Sequence, residues 1–466
     1  MRYISTRGQA PILNFSHTLL TGLAEDGGLY IPETWPHLSH NDLRELRKLD
    51  YSELAAKIIG LFTGDDIPAP ILLDLCKQSY ASFNHKAIVP LVQLEHNLFV
   101  QELFHGPTLA FKDMAMQLLG RLFDYVLSQR EEHITIVGAT SGDTGSAAIE
   151  AFKDSKYLTV TILHPYGRTS EVQRRQMTTV LSPNINNIAI KGSFDDCQDL
   201  VKSMFADMPF RKEMHLSAIN SINWGRIAAQ IPYYIYAALC LGAPDREVSF
   251  TVPTGNFGNI LAAWTAKKMG LPIKFLGVAS NHNDILTRFL LNNDMSIQEV
   301  KPSLSPSMDI QISSNFERLL FELLDRDAAQ CCQIMQNFRK DGKMNIPEQS
   351  WTKATQNFKG MSLNNEETKK AITKIFKDSL YLADPHTAIG IITAQKYLEK
   401  DVPMVAVATA HPAKFPDAIK QATGILPPLP LAMADLYERK ENYQILPADL
   451  QAIENSVRTV AYQNNF

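Results

Sequence analysis

The chain has 466 residues, of which 45% are apolar and 20% charged, so one ordinary core is too small for it and two or three domains are expected. Its 45 basic and 49 acidic residues leave a formal net charge of -4 with both signs interspersed. That balance excludes the electrostatic footprint of a nucleic-acid or anionic-membrane binder and leaves any anionic partner to a local pocket. No stretch reaches a membrane-spanning length without charges or turn residues, and the first residues lack an apolar segment with a small-residue cleavage site, so a cytoplasmic setting is expected. The five cysteines, Cys76, Cys197, Cys240, Cys331 and Cys332, have no Cys-x-x-Cys spacing, and the histidines no His-Glu-x-x-His run. Buried free thiols and no metal are expected.

In chain order, residues 1–92 read as turns and short helices forming a small N-terminal domain, with a turn at 24–28 feeding an extended piece that ends at Pro32. Residues 93–466 read as a larger α/β region. After a strand-like Leu98, Phe99 and Val100, Gly106 and Pro107 break the chain. Met114, Leu118, Leu119, Leu122, Phe123 and Val126 then recur at helical spacing. Lys112 therefore sits at a helix entrance. The macrodipole and the apolar neighbours Leu109, Ala110 and Phe111 both disfavour an ammonium there, which makes Lys112 a candidate Schiff-base nucleophile. An ordinary surface lysine is the plainer alternative.

Short β-branched runs at 133–137, 158–163, 187–190, 248–252 and 273–278 suit parallel strands buried on both faces. Helical patterns lie between them at 147–153, 171–181, 197–207, 224–241 and 259–269. This is an α/β pattern of one or two lobes, with ligand sites expected beyond the strand ends. A turn-rich linker follows at 301–308, then a polar helical insertion at about 315–377, a final strand at 404–408 and a polar tail.

Five turns carry groups that can bind or react. The first is 253–259, Pro-Thr-Gly-Asn-Phe-Gly-Asn, which follows a strand and opens a helix at about Ile260, so its amides can turn toward an anion. A capping role for Asn256 is the plainer alternative. The second, 139–146, has the same position, and its hydroxyls and amides could hold a carboxylate, though these are also ordinary loop residues. The third, 220–226, offers amide, hydroxyl and guanidinium donors, with Arg226 either on a phosphate or on a solvated face. The last two, 384–388 and 409–415, hold His386 and His411 as proton carriers or satisfied structural groups, and Thr409 as a hydroxyl facing a heterocyclic nitrogen or a cap.

Taken together, these segments resemble the threonine synthase family, pyridoxal-phosphate (PLP) enzymes of the tryptophan-synthase-β structural class. The match is carried by residues 19–30, HGPTLAFKD at 105–113, ATSGDTGSAA at 139–148, NSINWGRI at 220–227, VPTGNFGN at 252–259, SPSMDI at 305–310, DPHTA at 384–388 and TAHPAKF at 409–415. The resemblance implies a two-lobed α/β PLP enzyme of fold type II with a small N-terminal domain and a helical insertion. It also implies a carbon-oxygen lyase acting on phosphate, converting O-phospho-L-homoserine and water to L-threonine and phosphate.

By the same resemblance, Lys112 carries the cofactor with Phe111 beside it. Gly255, Asn256, Phe257, Gly258 and Asn259 hold the cofactor phosphate, and Thr409 faces the pyridine nitrogen. Thr140, Ser141, Gly142 and Thr144 take the substrate carboxylate. Asp143, beside the cofactor ring, stands where many members of the wider class carry asparagine, and Asn259 where aspartate is expected in close relatives. Ser221, Asn223, Arg226 and Lys414 are the candidates for the phosphate of the substrate. A dehydratase or phospho-lyase of the same class, and a phosphoamino-acid-binding protein without catalysis, are the alternatives. Monomer and homodimer both stay open.

Overall fold

A computed structural model of the chain describes residues 1–140, 142–217 and 220–464. Two compact units make it up, one of Met1–Lys77, His85–His105 and Ser221–Pro428, the other of Gln78–Asn84, Gly106–Asn220 and Leu429–Phe466.

The first unit is built on a six-stranded sheet in the order Phe358–Ser362, Ile273–Ser280, Val248–Pro253, Met404–Ala408, Leu98–Glu102, Leu91–Glu95. All neighbours run parallel except the last pair. The central strands Val248–Pro253 and Met404–Ala408 are buried at every residue, as strands covered on both faces must be. Because they are parallel neighbours, the turns that leave them, at Thr254 and Thr409, emerge at the same end of the sheet. In the N-terminal segment, Tyr3–Ser5 pairs antiparallel with Tyr30–Pro32. Helix Tyr51–Thr63 starts at a reciprocal cap between Asp50 and Glu53.

The second unit has a five-stranded parallel sheet in the order Gln444–Pro447, Ile185–Lys191, Leu158–Pro165, Ile134–Ala139, Leu216–Ser217. Its core joins Val137, Leu163, Ile188 and Ile190 to Ile453, Val457 and Ala461 of the C-terminal helix Leu450–Gln463. Among the described residues no helix is long and apolar enough to cross a membrane, and no cluster of His, Cys, Asp or Glu is arranged to hold a metal.

Several elements differ from the sequence reading. The helix expected over 224–241 is two, Trp224–Ala228 and Ile231–Cys240. Pro232 has no N–H to donate, and its ring excludes the carbonyl of Ala228. The helix expected to reach Leu181 ends at Thr178, where the hydroxyl of Thr179 bonds back to the carbonyl of Arg175. The insertion contributes the edge strand Phe358–Ser362, and the last strand is Gln444–Pro447 rather than Met404–Ala408. Three of the five thiols are buried, whereas Cys332 is half-buried and Cys240 exposed.

Candidate active site

In the second unit, the segment before Lys112 folds back on the helix that Lys112 begins, Lys112–Arg130. The Thr108 amide and hydroxyl both donate to the buried Asp113 carboxylate, at 2.7 Å each. Gly106 packs so tightly there that a Cβ on it would lie 2.5 Å from Asp113 Cβ. Leu109 takes a left-handed φ of 61° and is buried. The Lys112 side chain is 12% exposed, and its Nζ lies 3.7 Å from Asp143 Oδ2, a counter-charge absent from the sequence reading.

Asp143 opens helix Asp143–Phe152, where the macrodipole favours its carboxylate, and its Oδ1 accepts from Gln173 Nε2 at 2.9 Å. In the turn before it, Thr140 Oγ1 accepts from the Gly142 and Gly145 amides, at 3.0 Å each. Those two donors therefore close the turn instead of facing a ligand. Thr144 is half-buried in the first helical turn, Phe111 is half-buried at the N-cap of the Lys112 helix, and Ser141 lies outside the described residues.

In the first unit, the turn 254–258 has the carbonyls of Gly255 and Asn256 tied down, and the Thr254 amide donates to the Ala279 carbonyl. The Gly255 carbonyl accepts from Ser313 Oγ at 2.7 Å, and the Asn256 carbonyl accepts from both the amide and the Nδ2 of Asn315, at 3.1 and 3.0 Å. The amides of Gly255, Asn256, Phe257 and Gly258 donate to no acceptor among the described residues. A Cβ on Gly255 would lie 2.5 Å from the Ser307 carbonyl, and Phe257 is left-handed at φ 63°. Helix Gly258–Lys268 begins here with no side-chain cap, so Asn256 is not its cap. Free amides at a helix N-terminus fit a phosphate. Asn259 Oδ1 accepts from the hydroxyls of Tyr233 and Tyr234, and its buried Nδ2 has no partner among the described residues.

Arg226 lies one residue from Ile227, whose Cδ1 would be 3.2 Å from a Cβ on Gly258. It is buried at 6% exposure rather than solvated, and burial pushes its guanidinium down to about 10. Its Nε has no hydrogen-bond partner. A buried cation without a counter-charge is costly unless an anion binds it. Asn223, in contrast, is fully used, capping Gly225 N at 2.9 Å and donating to the Leu19 carbonyl at 2.7 Å. Ser221 is half-buried, and its carbonyl accepts from Asn315 Nδ2 at 2.9 Å.

Thr409 follows its strand at 6% exposure, and its amide donates to Thr387 Oγ1 at 3.3 Å. Thr387 is itself held by Asp384, the cap of helix Pro385–Tyr397. His386 donates through Nδ1 to Asp384 at 2.8 Å and accepts from the Ser307 amide at Nε2, 3.3 Å, so it is a satisfied structural group. His411 is half-buried, and desolvation lowers its pKa to about 4. Lys414 is buried in the short turn Pro412–Lys414.

The sequence reading missed two residues that hold these motifs together, Asn315 and Arg318. The fully buried Arg318 donates to the Tyr30 and Ile222 carbonyls, at 2.9 and 2.6 Å, and to Asn315 Oδ1, and it stacks over Trp224 at 5.5 Å. Only their place in a polar helical run, next to Ser313, could have drawn attention to them.

The first unit thus holds an anion cradle and a buried arginine, and the second, described by itself, a lysine paired with a carboxylate. Residues 86–338 match the family described as pyridoxal-phosphate dependent enzyme, and the fold is that of its type II class. Residues 2–80 match the threonine synthase N terminus and residues 387–457 the threonine synthase C-terminal family. A threonine synthase of Pseudomonas aeruginosa is 51% identical over 97% of each chain. A crystal structure of PLP-bound threonine synthase from Brucella melitensis matches with a TM-score of 0.98 at 51% identity, covering 99% of both chains. The threonine synthase structure from yeast matches at a TM-score of 0.94 and 39% identity, again over 99% of both. The chain belongs to the threonine synthase family.

Proposed function

We propose that the chain converts O-phospho-L-homoserine and water to L-threonine and phosphate in the cytoplasm, with Lys112 as the cofactor lysine. Bound PLP supplies an electron sink for the bonds broken and made next to the substrate amino group. The free amides of Gly255, Asn256, Phe257 and Gly258, reinforced by the helix dipole, hold its phosphate. Thr409, at 6% exposure, would offer the ring nitrogen a neutral hydroxyl in place of a carboxylate. Lys112 Nζ takes the proton from the substrate α-carbon, and Asp143, 3.7 Å away, supplies the counter-charge once the amine has become an ammonium. Five unpaired cysteines suit a reducing compartment. Residues 1–92 are proposed as the N-terminal domain and 93–466 as the catalytic region, with 315–377 as its insertion.

The buried Arg226 is the observation that carries the choice of a phosphorylated substrate, because a buried guanidinium whose Nε has no partner among the described residues calls for an anion. Lys414 and Ser221 are its proposed companions on the substrate phosphate, while Thr140, Gly142 and Thr144 stay proposed neighbours of the substrate carboxylate. Supplying O-phospho-L-homoserine and O-phospho-L-threonine in parallel tests this reading. Threonine and phosphate in equal amounts from the first compound are expected. Faster phosphate release from the second, without threonine, would point to a phospho-lyase instead.

A further inference from the structure

Helix Glu171–Thr178 carries two glutamines one turn apart, and each reaches one half of the Lys112–Asp143 pair. Gln173 Nε2 donates to Asp143 Oδ1 at 2.9 Å, leaving Oδ2 for Lys112. Its side chain lies against the turn before Asp143, since a Cβ on Gly142 would be 2.5 Å from Gln173 Cδ. Gln176 Nε2 donates to the Thr108 carbonyl at 3.0 Å. Thr108 in turn grips Asp113, the residue after Lys112. A spacing of three puts both amides on one helix face.

The helix is itself anchored. Arg174 pairs with Glu441 at 2.8 and 3.2 Å, Thr178 Oγ1 donates to the same carboxylate at 2.7 Å, and Gln176 also reaches Met433 Sδ at 3.4 Å. The amide of Gln173 is neutral, so it fixes the Asp143 carboxylate without neutralising it. A cation in its place would compete with Lys112 for that charge.

We infer that Gln173 and Gln176 are positioning residues for the Lys112 amine, Gln173 by orienting Asp143 and Gln176 by fixing the loop that delivers the lysine. This rests on the reading of Lys112 as the cofactor lysine. Gln176 lines a cavity of about 430 Å³ together with Thr108 and Met433, so in its absence water is expected to reach the Thr108 carbonyl.

The test uses the full chain with Gln173→Met, Gln173→Glu, Gln176→Met and Lys112→Ala. It reads kcat and KM for O-phospho-L-homoserine on the PLP-loaded enzyme, and the rate at which an acylating reagent labels Lys112 in the cofactor-free protein. Misplacing a reacting group costs up to about 100-fold. Accordingly kcat is expected to fall ~10- to 100-fold in the glutamine variants with KM within about threefold. Lys112 labelling should change several-fold, most in Gln173→Glu, where a second carboxylate faces Asp143. Unchanged labelling and kcat, even with a lowered Tm, would overturn the inference and leave the glutamines a packing role only. Full turnover in Lys112→Ala would overturn the reading of Lys112 instead, so the two failures are distinct.

Discussion

Lys112 Nζ lies 3.7 Å from Asp143 Oδ2, and the two residues stand at the first positions of two different helices. The helix dipole disfavours the lysine and favours the aspartate, by about 0.3–1 kcal/mol each. The carboxylate therefore offsets the cost of a cation at a helix start.

Replacing Arg226 by methionine should separate stability from activity. The guanidinium is buried and its Nε unpaired, so its removal is expected to leave unfolding free energy unchanged or to raise it by about 1 kcal/mol. The KM for O-phospho-L-homoserine should rise ~10- to 100-fold, the worth of a charge-assisted bond to phosphate. Urea unfolding and steady-state kinetics on one preparation check both. An unchanged KM would remove Arg226 from the substrate site.

Asn315→Ala should loosen the cofactor cradle. It removes donors to the Ser221 and Asn256 carbonyls and an acceptor for Arg318. The expected loss is about 2–3 kcal/mol of stability, at roughly 1 kcal/mol per buried bond. PLP affinity should fall by about tenfold with it, as a displacement of the 254–258 turn disturbs several amides at once. Equilibrium dialysis of PLP measures this, and an affinity equal to the parent protein's would contradict it.

Acid stability should depend on two histidines, the buried His164 and the half-buried His411. Burial lowers both His164 and His411 to about 4, against 6.5 for an exposed imidazole. Between those values the unfolded chain binds the protons and the folded chain does not, so stability falls as pH drops from about 6.5 and levels off below about 4. Each group contributes roughly 3 kcal/mol over the full window. Neither ring nitrogen of His164 has a hydrogen-bond partner among the described residues, so His164→Leu removes chiefly its desolvation cost. The unfolding free energies of parent and variant should diverge by about that amount between pH 7 and 4 in favour of leucine. Parallel curves would contradict the assignment.

What the sequence revealed was local. The turn at 254–258 and the loop before Lys112 were legible because glycine, proline and a switch in apolar periodicity lie within a few residues of each other. Pro232 was equally visible and should have divided the helix at 224–241. Arg226 could not be placed on a buried or a solvated face, because that depends on partners far along the chain. The same distance hid Asn315, 59 residues from Asn256, and Arg318, 288 from Tyr30. The strand Phe358–Ser362 was missed because Phe-Lys-Gly-Met-Ser lacks β-branched residues and owes its conformation to pairing with Ile273–Ser280.

Lys112 is proposed as the residue that carries the cofactor. Borohydride reduction of the PLP-loaded protein followed by peptide mass mapping tests it most directly. The pyridoxyl mass is expected on Lys112 alone, and Lys112→Ala should retain none of it and make no threonine. A stable label on Lys414 or any other lysine, with Lys112 unmodified, would contradict the account.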